Sequence, residues 1–155
     1  MNQLLILILL TLTPALELRA SIPYGILTGM NWVPVFVIAV VVNIILGIVL
    51  YFVFDFCVKL FTRIKTVNKF YKKYVGYTQK KIHKTVEKYG EWAVAIFIGI
   101  PLPGSGVYSG ALAAYLIGMS KKRFAIACIA GVLIAGIIVT TVMLSGSEVF
   151  NIFIK

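Results

Sequence analysis

The sequence predicts an all-α integral membrane protein built as an inverted repeat, each half a re-entrant helical hairpin followed by a transmembrane helix. Three observations predict it. Of the 155 residues, 61% are hydrophobic and only 13% charged, where an average soluble domain carries about 25% charge; a soluble core of this size cannot hide so much apolar side chain. The positive charge is concentrated: ten of the fifteen Lys and Arg lie between Lys59 and Lys88, and three more are Lys121, Lys122 and Arg123. Prolines and glycines break apolar runs at two places, PALELRASIPYGILTGM (14–30) and PLPGSGVYSGALAAYLIGM (101–119), and both stretches close on Gly-Met.

The elements follow in order along the chain. The apolar run 4–12 is about half the roughly 20 residues needed to cross a bilayer. Pro14, Glu17 and Arg19 follow it, then a second short run, 22–28, so residues 4–29 read as a hairpin that enters and leaves by one face. The opening segment lacks a basic n-region and has Leu18 where a signal peptidase needs a small residue, so it is expected to stay in the protein. Residues 32–54, with Asn43 as their one strongly polar group, form the first transmembrane helix. Between 58 and 89, apolar residues such as Leu60, Phe61, Ile64, Val67 and Phe70 approximate helical spacing while lysines fill the other face. That segment reads as a basic amphipathic helix on the inner leaflet, with Lys59–Lys88 attracting anionic headgroups. His83, among these lysines, reads as solvated. Residues 92–119 form a second hairpin around PLPGSG, and 124–144 the second transmembrane helix.

Charge fixes the expected topology. The linker and the Lys121–Arg123 triplet belong on the cytoplasmic side of a cell membrane, so the multi-pass chain has its N-terminus outside and its two halves in opposite orientations. A shift of 89 positions pairs Pro14 with Pro103, Leu27 with Leu116, Gly29-Met30 with Gly118-Met119 and Gly47-Ile48 with Gly136-Ile137. Residues 1–155 are then one membrane domain: first repeat 1–57, linker 58–89, second repeat 90–155. In such repeats, broken backbone at membrane depth marks a binding site.

The candidate site residues lie at the two breaks. Glu17 and Arg19 are the only charges in the first 54 residues, and a charge at the bilayer centre costs at least ~2.5–3.5 kcal/mol. As a site, Arg19 attracts an anionic group and Glu17 takes up or releases a proton; as structure, the two form an ion pair that caps half-helix ends. The second break offers Gly104, Ser105, Gly106, Tyr108 and Ser109, whose backbone N–H groups and hydroxyls beside a helix start favour anions. The same glycines serve equally to let a hairpin turn, and no GK[ST] follows them. Asn43 needs a partner at mid-span and reads as an inter-helix hydrogen bond or a pocket group. Ala127, Gly131 and Ala135 make a small-residue face suited to packing within the chain or in a homodimer. Cys57 and Cys128 read as small core residues. No metal-ligand or redox spacing and no Ser/His/Asp set at membrane depth is found, so no metal, no cofactor, no enzyme activity and no nucleic-acid partner are expected.

Three blocks carry a family resemblance: ELRASIPYG (17–25), IPLPGSGVYSGAL (100–112) and GVLIAGII (131–138). The chain resembles the small multi-drug export protein family over nearly its whole length. It departs from the family in having Val42-Asn43 where Gly-Asn is common, and Ser105 and Tyr108 where Thr and Trp often stand. The resemblance implies a membrane transporter exporting small amphipathic compounds. Paired hairpins, one with an acid and an arginine and one with a proline-glycine turn, also resemble DedA-like membrane proteins in architecture, which implies a lipid-linked phosphate or anionic lipid as the alternative substrate. A non-transporting scaffold that docks partners on the basic linker is the third reading.

Overall fold

The computed structural model describes residues 2–14, 16–61, 89–102 and 104–153, which are helices and short connections with no strand among them. The helices are α1 (Gln3–Leu12), α2 (Glu17–Leu27), α3 (Trp32–Phe61), α4 (residues 89–99), α5 (Val107–Leu116) and α6 (Lys121–Phe153). Most of the basic linker expected over 58–89, with His83, lies outside the described residues, and α3 itself runs on to Phe61.

Four helices are short and two long, in the order the apolar runs predict. The short ones begin earlier than apolarity alone suggests. α2 starts at Glu17 rather than near residue 22, and α5 at Val107 rather than near residue 111. The reason is packing. Glu17 and Ser21 are buried at 3% and 0% exposure, so the first turns of α2 are polar yet enclosed, and their pattern does not separate a wet face from a dry one.

α3 and α6 cross antiparallel through two glycine notches. A Cβ on Gly47, midway along α3, would lie 2.6 Å from Cys128 Sγ early in α6; one on Gly136, midway along α6, would lie 2.9 Å from the side chains of Phe36 and Val40 early in α3. The short helices pack across the halves: α2 lies against α6 and α5 against α3. Ala127, Gly131 and Ala135 are buried within the chain, with a Gly131 Cβ placed 2.6 Å from the Ala95 carbonyl oxygen of α4. Asp55 pairs with Lys121 at 3.4 Å and Glu91 with Arg123 at 3.2 Å, joining α3 and α4 to the start of α6.

The offset of 89 recurs in the backbone. α3 and α6 begin at Trp32 and Lys121. Before each, a left-handed glycine ends the preceding helix, Gly29 at φ 80° and Gly118 at φ 76°. The next amide closes the cap at 3.0 Å in both cases, Met30 N–H donating to Gly25 O and Met119 N–H to Ala114 O, the six-to-one bond of a Schellman end.

The long helices are not soluble core helices. Their apolar windows, Trp32–Val58 and Lys121–Gly146, have mean hydropathies of 3.0 and 2.6 yet are only 28% and 39% buried. Val33, Val37, Val41, Ile45, Val49 and Phe52 form one exposed apolar stripe down α3. Water would oppose so large an uncovered apolar surface; lipid does not. The chain is a membrane protein.

Candidate functional site

The two backbone breaks meet. Thr13–Leu16 joins α1 to α2, and residues 100–106 join α4 to α5, and side chains from each break satisfy helix ends of the other.

Glu17 opens α2 with φ +49°, the one positive φ at a non-glycine among the described residues. A left-handed backbone costs an L-residue about 1–2 kcal/mol. Here it turns the carboxylate away from its own helix and onto the start of α5. Val107 N–H donates to Glu17 Oε2 at 3.2 Å and Tyr108 N–H to Oε1 at 3.5 Å. These are first-turn amides with no acceptor inside α5, and the positive end of the helix favours the carboxylate. Asn43, from the middle of α3, donates Nδ2–H to Glu17 Oε2 at 3.4 Å. The anion cradle expected at Gly104–Ser109 is therefore occupied by the chain's own carboxylate.

Gly106 makes that approach possible. Its φ of 170° is ordinary extended backbone, but a Cβ there would stand 2.5 Å from Glu17 Oε1 and 2.6 Å from Oε2. Gly104 has the opposite reason: φ is 85° and the space around it is open, so the turn itself requires glycine.

Arg19, half-buried one residue past Leu18, reaches the other end of the break. Its Nη1 donates to Leu102 O and its Nη2 to Ile100 O at 3.1 Å and to Ser105 Oγ at 3.1 Å. Ser105 Oγ lies 2.6 Å from Ile100 O and 2.9 Å from Leu102 O, so hydroxyl and guanidinium together cover the carbonyl end of α4. The reciprocal contact comes from Tyr108, whose hydroxyl donates to Leu12 O at the end of α1 at 2.6 Å. Ser109 serves its own turn, donating to Gly104 O at 2.7 Å.

The structure thus brings all eight sequence-selected residues, Glu17, Arg19, Asn43, Gly104, Ser105, Gly106, Tyr108 and Ser109, into one region. It joins Glu17 and Arg19 to opposite helix ends rather than to each other. A cavity of about 120 Å³ lies beside the carboxylate, lined by Glu17, Gly104, Ser105, Gly106, Tyr108 and Ser109. Among the described residues, three side-chain polar atoms are buried without a hydrogen-bond partner: Asn43 Oδ1, Ser21 Oγ and Thr140 Oγ1. Ser21 was open to sequence reasoning, since it follows Glu17 by four residues on one helix face. The carbonyl acceptors at Leu12, Ile100 and Leu102 were not, because every residue carries one. No group of three or more metal-ligating side chains occurs among the described residues.

Neither the curated proteins nor the solved structures provide a match to this chain. The family described as "Putative small multi-drug export protein" matches residues 17–138, from the α2 carboxylate through the Gly136 notch of α6. That span takes in every residue of the crossed helix-end contacts except those of α1, and the chain belongs to that small multi-drug export protein family.

Proposed function

We propose that the chain is a small membrane transporter whose site lies where its two helix breaks meet, and that Glu17 is its proton-responsive group. One observation carries this reading: a carboxylate 3% exposed holds the start of α5 through two backbone amides. A charged acceptor makes a hydrogen bond roughly twice as strong as a neutral one. Protonation of Glu17 therefore loosens α5 from α2 and ionisation draws them together. Asn43 suits both states. With Glu17 ionised it donates Nδ2–H; with Glu17 protonated, the amide turned over accepts a hydrogen bond from the acid's O–H through Oδ1, the atom that otherwise has no partner.

The cavity of about 120 Å³ falls well short of the ~300–1,000 Å³ typical of small-molecule sites. The arrangement is a closed one, and loosening of the crossed contacts is the step that admits a substrate. The substrate is a small amphipathic compound, in keeping with the family. The two halves act as an inverted repeat of re-entrant hairpins, supported by the common 89-residue offset and the antiparallel crossing of α3 and α6. The linker is then cytoplasmic and the N-terminus outside.

The test is efflux of a cationic amphipathic dye from proteoliposomes under an imposed proton gradient. Wild type is expected to move the dye and Glu17→Gln to lose the gradient-driven component. Undiminished transport by a folded Glu17→Gln protein sinks the reading. A second reading, flipping of an anionic lipid or lipid-linked phosphate, is favoured by the α5 amides being an anion site, on which a substrate oxyanion replaces Glu17. Under that reading Arg19→Ala abolishes flipping of a fluorescent lipid phosphate, whereas an exporter of cationic dyes tolerates the loss of Arg19.

A further inference from the structure

A second cavity lies away from the helix breaks, between the later part of α3 and the first turn of α6. Its volume is about 270 Å³, and its walls are Ile48, Tyr51, Phe52 and Phe124, with Lys121 and Lys122 also lining it. The floor is rigid. Tyr51 and Phe124 stack with centroids 4.7 Å apart, both nearly fully buried, and the Tyr51 hydroxyl donates to Met119 O. The size suits one segment of an acyl chain rather than a whole amphiphile.

The charge at its mouth is unbalanced. Three successive cations, Lys121, Lys122 and Arg123, occupy the first turn of α6 with no acidic residue there, although the positive end of a helix favours acids and disfavours cations. Arg123 pairs with Glu91, and Lys121 pairs with Asp55 while its Nζ lies 4.7 Å over the Phe52 ring. Lys122 is exposed and has no ion-pair partner among the described residues. Exposed Tyr89 and Trp92 are tied to this level by the Glu91–Arg123 pair, and such aromatics sit at the headgroup depth of a bilayer.

We propose that this groove binds one anionic phospholipid, its acyl chain against Ile48, Phe52 and Phe124 and its phosphate on Lys122 at the start of α6. Lys121 and Arg123 already have acidic partners, so the charge left over is that of Lys122; an anionic headgroup balances it, whereas a zwitterionic one brings a cation of its own. The site is separate from the Glu17 region, and its occupant holds the crossing of α3 and α6 at the membrane surface.

The experiment uses the full chain in phosphatidylcholine nanodiscs titrated with phosphatidylglycerol, reading retained lipid by native mass spectrometry. Wild type is expected to keep one phosphatidylglycerol per chain in preference to phosphatidylcholine. Lys122→Glu should lower that retention roughly tenfold, a basic residue near an anionic surface contributing about 1 kcal/mol and its reversal more. Ile48→Trp, which fills the groove and leaves the charges alone, should lower it comparably. Lys155→Glu, an equal change in net charge at a residue beyond the end of α6 and outside the basic linker, should leave it within about twofold. Circular dichroism confirms that each variant is helical. Equal retention of the two lipids by wild type, or equal losses in Lys122→Glu and Lys155→Glu, overturns the proposal.

Discussion

Arg19 and Tyr108 stand 89 positions apart and make the same contact in opposite directions. Arg19, on α2, donates to the Ile100 and Leu102 carbonyls that follow α4. Tyr108, on α5, donates through its hydroxyl to the Leu12 carbonyl that ends α1. Each break thus adds a donor to carbonyls of the other, and at Ile100 and Leu102 it does so beside Ser105 of the second break itself. In lipid this matters more than in water, because no solvent replaces a missing donor.

The two donors should differ in weight. Tyr108→Phe removes one neutral hydrogen bond, expected to lower stability by about 1 kcal/mol. Arg19→Ala removes a charged donor to three acceptors and should cost about 2–3 kcal/mol. Arg19→Lys should recover only part of this, since an ammonium does not reproduce the planar fork that spans Leu102 and Ile100. Thermal unfolding in detergent, followed by circular dichroism, ranks the three variants.

Gly106 offers a test of the Glu17 contact that does not touch Glu17. A methyl at 106 collides with both carboxylate oxygens, so Gly106→Ala is expected to expel the carboxylate and lose gradient-driven transport as Glu17→Gln does. The collision is specific. In a Glu17→Ala background the same Gly106→Ala change should cost less than about half as much stability, the non-additivity expected of residues in contact. Additive losses in the four-protein cycle would mean that Gly106 is constrained by something other than Glu17.

Much of this was legible in the sequence. The apolar runs, their interruptions and the offset of 89 place all six described helices in order, because membrane helices must be apolar along their length whatever they pack against. That Glu17 and Arg19 would find partners was legible for the same reason: a charge in an apolar segment needs one. What each one touches was not. The partners are backbone amides at 107 and 108 and backbone carbonyls at 100 and 102, and backbone has no residue code. The early start of α2 was hidden likewise, since Glu17 and Ser21 are polar residues enclosed by protein, where the rule that polar means exposed fails.

Topology can be checked apart from transport. If both hairpins are re-entrant, single cysteines at Asn2 and Met30 should react with an impermeant maleimide from outside the cell, and those at Thr66 and Ser120 only after permeabilisation. Asn2 and Met30 labelling from opposite faces would mean that α1 and α2 together cross the membrane, and the halves would no longer be inverted copies.

The crossing of α3 and α6 rests on contacts that leave no room for one methyl. A Cβ on Gly47 would stand 2.6 Å from Cys128 Sγ and 3.2 Å from the Val107 side chain, so the notch is shared by α6 and by the first residue of α5. Gly47→Ala is expected to destabilise by about 1–3 kcal/mol through overpacking, despite alanine's better helix propensity. Removing the sulfur should make room: Gly47→Ala with Cys128→Ala should be more stable than Gly47→Ala alone. Because Val107 donates its amide to Glu17, the single variant should also disturb transport, whereas Gly136→Ala, against Phe36 and Val40 at the far notch, should destabilise without that effect. Equal transport losses from the two glycine variants would show that α5 senses the whole helix crossing rather than its near contact.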